Sequence, residues 1–399
     1  MGIMAAIDSA GTGAFLSVSA IFLTRSVGLS VAQVGLGLGC GAAVGLFTTV
    51  PVGGLADRYG PRRVLVGVSL WRAACYVVYP FVTSFATFAA LVCVLGLVNE
   101  VAAPMEQAMV SRAVPPDDRV HTMAVMRSLR NVGFTVGVLL GGVALVADNW
   151  TAYAIVLFAN AASFVILAVI AVTLPLAAAT GSARARREIS LKVLADRPFL
   201  VLTGINAILT LHMPLLSVGI PLWIAEHSHA PRAIVGPLLV VNTILCITLQ
   251  VRASRGSDSP PGAARRLRQA GLALAVCCLL LALLPRLGMV PAIALLVAAM
   301  VALTGGELWQ SAGGWGLSYA LARPGQEGAY LSMFSLGAAV QQIAAPVLVA
   351  TVVQVGTVGW VGLAALVAVT GLIAPLTATW ASRSMRPERS DESLCETAA

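Results

Sequence analysis

Charged residues are scarce. They make up 11% of the 399 residues, against about 25% in a water-soluble chain. A soluble fold of this size would need polar surface that the sequence does not contain, so a soluble enzyme with a large core is excluded. Lysine is nearly missing: Lys192 stands alone among 25 basic residues, a usage that points to a GC-rich bacterial genome. No glycine-rich phosphate loop of the P-loop kind appears, which leaves ATP drive without support. No Ser/His/Asp set or metal-ligand spacing stands out, and the links are too short to hold a catalytic domain. Enzyme chemistry, a cofactor and a bound metal are therefore not expected. The seven cysteines (Cys40, Cys75, Cys93, Cys246, Cys277, Cys278 and Cys395) lie mostly in apolar runs and read as small core residues. His227 and His229 form an H-x-H on one link without the further ligands a zinc site needs, and read as solvated. No basic segment precedes the first apolar run and no cleavage site follows it, so no signal peptide is expected.

What is present is apolar sequence. Hydrophobic residues make up 58% of the chain and the mean hydropathy is +0.90. A membrane helix needs roughly 20 mostly apolar residues. Twelve runs qualify, at 4–24, 31–52, 64–82, 85–112, 121–147, 150–174, 198–225, 231–252, 268–284, 289–320, 326–351 and 357–380. They are continuous and too long for the strands of a membrane β-barrel. The fold expected is an all-α integral membrane protein with twelve transmembrane helices in two six-helix bundles. The bundles would span 1–174 and 198–380, joined by a basic link at 175–197 and followed by a tail at 381–399.

Arginine placement orients the chain. With the N-terminus inside, nineteen basic residues fall on the inner links. Arg25, Arg232 and Arg286 alone fall on the outer ones. The positive-inside rule then places both termini in the cytoplasm, in a multi-pass protein of the cell's inner membrane. The net charge of +8 is that of loops held at an anionic bilayer face, and no nucleic-acid partner is needed to explain it.

A repeat is visible. LSVSAIFL at 16–23 pairs with LSVGIPLW at 216–223, with Asp8 and Asn206 upstream of each. AVPPDDRVHTM at 113–123 pairs with ARPGQEGAYLS at 322–332. Parallel halves of this kind place a solute site between them near the bilayer midplane.

The stretch GGLADRYGPRR at 53–63 sits in the link between the second and third runs. It resembles the signature loop of the major facilitator superfamily, G-x-L-A-D-R-x-G-R-R. Gly53, Leu55, Ala56, Asp57, Arg58, Gly60 and Arg62 match; Pro61 stands where a basic residue is usual, and Arg63 follows it. Glycines allow a turn and a close helix approach, and Asp57 suits a helix N-terminus. The resemblance implies that this loop latches the two halves in an outward-open state. VPPDDR at 114–119 is similar to the link after the family's fourth span. NVGFTVGVLLGG at 131–142 resembles the fifth-span motif of its drug/proton antiporters through Gly133, Gly137, Gly141 and Gly142, with Val138 replacing a proline. Glycines four residues apart permit close helix packing. Asn99 stands roughly where that group carries an arginine. The second-half counterpart of the loop, around Arg252 to Arg268, is too degenerate to read.

The informative residues are ionisable groups inside spans: Asp8, Glu100, Glu106, Glu307, Arg72, Arg127 and Arg130. Each costs about 2.5–3.5 kcal/mol at a helix centre, so such groups pair or face a wet cavity. Glu100 and Glu106 are about 120° apart around an ideal helix, unless Pro104 kinks it. Arg127, Arg130 and Asn131 share one stripe. Glu100 ranks first as a proton carrier, then Glu307 and Asp8, and Glu106 reads as structural. Trp309 and Trp315 near Glu307 read as packing, with a lipophilic-cation site as the sharper option. The function expected is proton-coupled efflux of a drug-like or antibiotic metabolite by a monomer. The alternatives are nutrient uptake by a symporter and a non-transporting membrane sensor.

Overall fold

The computed structural model describes residues 1–147, 149–174, 191–323 and 325–384. Among these residues every regular element is helical. That follows from the solvent: lipid offers no hydrogen bonds, so each spanning segment must satisfy its own backbone. The helices are α1 Gly2–Ser26, α2 Val31–Tyr59, α3 Pro61–Val78, α4 Phe85–Ala113, α5 Arg119–Ala147 and α6 Trp150–Thr173 in the first half. The second half holds α7 Arg197–His227, α8 Val235–Ala253, α9 Pro260–Leu283, α10 Met289–Ala320, α11 Glu327–Val355 and α12 Thr357–Ser384. Eleven are each long and apolar enough to cross a membrane, and α11, bent by 50° between Ala345 and Val347, supplies the twelfth. Most of the expected basic link, and most of the tail, lie outside the described residues.

Local chemistry sets several boundaries. Ser30 and Ser84 cap α2 and α4 in reciprocal boxes with Gln33 and Thr87. Only Gly60, at φ 88°, separates α2 from α3, a backbone setting that favours glycine. This corrects the expected span limits. Gly53 to Tyr59 are the last two turns of α2 rather than a loop, and Pro61 opens α3 at its first position, where its missing N–H is no loss. The departure at Pro61 is thus a helix start.

Prolines break two spans. In α4 the helix stops at Asn99 and restarts at Ala102. Pro104 has no N–H for the Glu100 carbonyl, so the break falls one turn before the proline itself. In α7 the helix is interrupted after Leu209 and runs through a π turn at Leu215–Gly219, where Pro214 and Pro221 remove donors in the same way.

Within each half, helices pack on helices. α1 lies against α5 and α6, and α9 lies against α10 and α12. The second half holds one continuous apolar core. The first divides its core into an aromatic cluster around Phe15, Tyr76 and Tyr79 and a smaller one around Met105 and Leu65. The halves meet through two related pairs, α2 with α11 and α5 with α8, with α4 and α10 adding contacts. A small apolar plug of Ala5, Val110, Met123 and Met126 packs on Trp315 and Tyr319 across this seam.

Candidate transport site

Six of the seven intramembrane charges form pairs. Asp8 of α1 meets Arg72 of α3 at 3.5 Å, and the Arg72 guanidinium lies 3.9 Å from the Phe164 ring centre. Glu106 of α4 bonds Arg130 of α5; Glu106 is 4% exposed. Both pairs close inside the first half. The third does not: Arg127 of α5 reaches across the seam to Glu307 of α10 at 2.5 Å and also donates to the Ser311 hydroxyl. Arg127 and Arg130 are three residues apart, just under one turn of helix, yet they serve different halves.

Glu307 is held from its own side too. Asn242 of α8 donates to its other carboxylate oxygen at 3.0 Å and to Thr304 at 2.9 Å. One turn further along α10, Gln310 donates to Asn206 at 2.7 Å and to Thr210 at 3.3 Å, and its carbonyl oxygen lies 3.3 Å from His212 Nε2. His212 Nδ1 is buried with no hydrogen-bond partner among the described residues. These neutral residues are what the sequence reading missed. Asn206 drew notice only as the repeat partner of Asp8, because an uncharged amide in an apolar run carries little signal by itself.

Glu100 stands apart from these pairs. It is half-buried at the break in α4, where Asn99 donates to it at 3.4 Å. Asn131 is half-buried and its side chain joins none of the ion pairs. Trp309 packs on the second-half core and Trp315 on the apolar plug.

More polar contacts tie the halves near the face that carries the N-terminus. Gln107 donates to Ser318 at 2.6 Å, and the Tyr319 hydroxyl donates to the Gln107 carbonyl at 2.9 Å. Ser128 donates to the Ile247 carbonyl at 3.1 Å. At the end of α2, the Asp57 carboxylate accepts the backbone N–H groups of Gly328 at 2.7 Å and Ala329 at 3.0 Å. Those are orphan donors at the N-terminus of α11, where a negative charge is favoured. Gly53 makes the approach possible: a Cβ there would lie 1.8 Å from Ser332 Oγ. Arg62 donates to the Leu174 carbonyl at the end of α6, while Arg58 and Arg63 are exposed, Arg58 lying over its neighbour Tyr59.

The degenerate second-half counterpart has a remnant. Asp258, in the link between α8 and α9, faces the Val120 amide at the start of α5. Burial pushes its carboxyl above the ordinary range, and the Val120 amide opposes that shift. Its Oδ1 is buried without a hydrogen-bond partner among the described residues, so the pairing is incomplete where that of Asp57 is full.

The glycine stripe of α5 packs on α1. A Cβ on Gly133 or Gly137 would lie 2.2 Å from the Ala6 carbonyl oxygen or 2.0 Å from that of Ala10, and one on Gly141 would meet Ser17 at 2.7 Å. Gly142 is different: nothing lies within 4 Å of the equivalent position, because it points off the stripe. Among the described residues no three His, Cys, Asp or Glu side chains gather as a metal cluster, and His227 stacks on Trp223 with ring centres 4.0 Å apart.

Comparison with known proteins adds an independent line. The family model described as the Major Facilitator Superfamily matches residues 1–322. The crystal structure of a bacterial homologue of the iron transporter ferroportin in an outward-facing state superposes with a TM-score of 0.73 at 14% identity, covering 96% of this chain and 98% of that one. The human organic anion transporter MFSD10 (TETRAN) superposes with a TM-score of 0.63 at 18% identity, covering 95% and 97%. Both are likenesses of fold. A chloroplastic protein of Arabidopsis thaliana, described as a probable anion transporter, is 37% identical over 99 residues, 24% of this chain and 19% of that one. The chain thus matches about a fifth of that curated relative's length.

Proposed function

From the premise that the chain belongs to the major facilitator superfamily, and so is a membrane transporter and not an enzyme, we propose that it exports a small amphipathic, drug-like solute by alternating access coupled to protons. The arginine-rich face with the N-terminus is taken as cytoplasmic by the positive-inside rule. The halves are joined near that face, so the conformation described is taken as the inward-closed one.

The observation that carries the reading is the Arg127–Glu307 pair, which joins the two halves at 2.5 Å. Halves that rock apart on the cytoplasmic side must break it. Leaving one partner of a buried pair behind costs about 3–5 kcal/mol. A proton on Glu307 removes the charge that holds Arg127, so protonation and inward opening become linked. Asp57 adds a second restraint on the same side through the N-terminus of α11. Glu307 therefore stands first as proton carrier, with Glu100 second as the half-buried carboxylate outside the pairs. The Asp8–Arg72 and Glu106–Arg130 pairs stay within one half and need not open in the cycle.

The test uses purified protein in proteoliposomes with an imposed pH gradient and a panel of labelled amphipathic compounds. Accumulation should depend on the gradient, and Glu307→Gln should keep solute exchange while losing the gradient's effect. Gradient-independent flux in the unaltered protein would remove proton coupling from the account.

One observation favours a second reading. Inward opening frees the Arg127 guanidinium, whose fork suits a carboxylate, and two of the relatives above are described as anion transporters. An organic anion as cargo is distinguished in the same panel: anions would compete with one another for flux, and lipophilic cations would not.

A further inference from the structure

The outer surface of the second half carries a groove of about 610 Å³ between α9 and α12. Its wall is mainly apolar, built from Pro261 and Ala264 on α9 and Pro375 and Ala378 on α12; Thr379 and Ser382 also line it, with their hydroxyls bonded to carbonyls of their own helix, and Arg265 and Arg383 stand on its rim. From Pro375 to Arg383 the groove climbs eight residues, about 12 Å of helix. It therefore starts in the hydrocarbon zone and ends at the arginine-rich membrane face. Arg265 also lines an adjoining hollow of about 220 Å³ with Arg255, Arg266 and Gln269. Arg266 is occupied, donating to the Arg255 carbonyl at 2.8 Å and to Gln269 at 2.9 Å. Among the described residues, Arg265 and Arg383 have no carboxylate partner; the ion pairs lie elsewhere.

Two guanidinium groups at the mouth of one apolar channel repel each other unless an anion lies between them. The shape adds a second requirement. A free phosphate would satisfy the arginines and leave the apolar wall unused, and a neutral amphiphile would fill the wall and leave the charge uncompensated. We propose that this groove is a binding site for one anionic phospholipid, with an acyl chain along Pro261 and Pro375 and the phosphate between Arg265 and Arg383. Basic pockets between transmembrane helices at this level are suited to such head groups, and arginine takes phosphate in a forked geometry. The first half offers an internal control. Its groove of about 390 Å³, lined by Val52, Val64 and Trp71 among others, has the single arginine Arg63.

The test is native mass spectrometry of the full chain in detergent, titrated with phosphatidylglycerol or phosphatidylcholine of identical chains. The unaltered protein should retain phosphatidylglycerol about thirtyfold better, the scale two basic residues give at a lipid surface. Arg265→Gln with Arg383→Gln should bring the two lipids level, Arg265→Lys with Arg383→Lys should keep a preference, and Arg63→Gln should leave it unchanged. Should the double glutamine variant fail to fold, Arg383→Gln alone, on the last turn of α12, must still weaken the preference. Equal retention of both lipids by the unaltered protein, or a full preference in the glutamine variants, overturns the site. A parallel melt with glycerol 3-phosphate should show no stabilisation. A shift equal to that given by phosphatidylglycerol would mean that a free anion is the ligand and would overturn the lipid assignment.

Discussion

In the first half, Asp8 faces Arg72 and Glu106 faces Arg130, so buried charge is cancelled among neighbouring helices of one bundle. In the second half the work is done by neutral groups: Asn206, Thr210 and His212 surround Gln310, and the single central acid, Glu307, takes its cation from the other bundle. The contrast separates two uses of the same chemistry. A pair closed within one rigid bundle fixes helices and survives any rocking. A pair that spans the seam is made in one state and lost in the other. The ends of α2 and of the α8–α9 link repeat the contrast. Asp57 takes two backbone N–H groups of α11, while Asp258 approaches the related helix, α5, and leaves Oδ1 unpaired.

The sharpest way to break this comparison is at Glu307. Glu307→Gln should reduce gradient-driven transport to background while the protein elutes as a folded species. Full coupling in that variant would return the seam pair to a structural role and leave Glu100→Gln as the substitution to try. Glu106→Ala should act in the opposite sense, on stability. It strands Arg130, and removing one member of a buried pair costs about 3–5 kcal/mol, to be seen as a lower melting temperature and reduced folded yield. If Glu106→Ala melts normally yet loses coupling, the assignment of roles to the two pairs is reversed.

Smaller effects sharpen the picture. Hydrogen bonds to a charged acceptor contribute about 1.5–3 kcal/mol each, so Asp57→Asn should weaken the inward-closed state and slow turnover several-fold without abolishing solute binding. Asp258→Asn, with less to lose, should change turnover much less. Equal turnover in the unaltered protein and both variants would reduce the α2–α3 stretch to a topology device. Along α5, Gly137→Ala drives a methyl group into the Ala10 carbonyl, an overpacking that costs about 1–3 kcal/mol. Gly142→Ala enters open space and should stabilise by about 0.5–1 kcal/mol through helix propensity. Melting temperatures of the two variants that move together would contradict the packing of α5 on α1.

Much of the fold was legible in single residues. Pro104 marked a disturbance in α4, though the break fell a turn earlier, at the carbonyl its ring leaves without a donor. Asp57 was readable as a residue suited to a helix N-terminus, but nothing local said that the helix would be α11, 271 residues away. Gly142 belonged to the glycine pattern and turned out to face away from α1, because adjacent positions on a helix point about 100° apart. Glu100 outranked Glu106 on depth alone. Burial, which depends on neighbouring helices, put Glu106 inside the first half against Arg130 and left Glu100 half-buried at the break in α4.

The sequence by itself determined the helical class, the span count and the uneven charge of the two faces. Each of these follows from transfer of a segment into lipid and from backbone groups that must bond within that segment. Only the tertiary structure decided the partners. Arg127 and Arg130 share a stripe on one helix, but the first meets a carboxylate 180 residues away across the seam and the second one 24 residues away in its own half. A helix face has no pairing preference until another face is set against it, and packing between bundles is what sets it there.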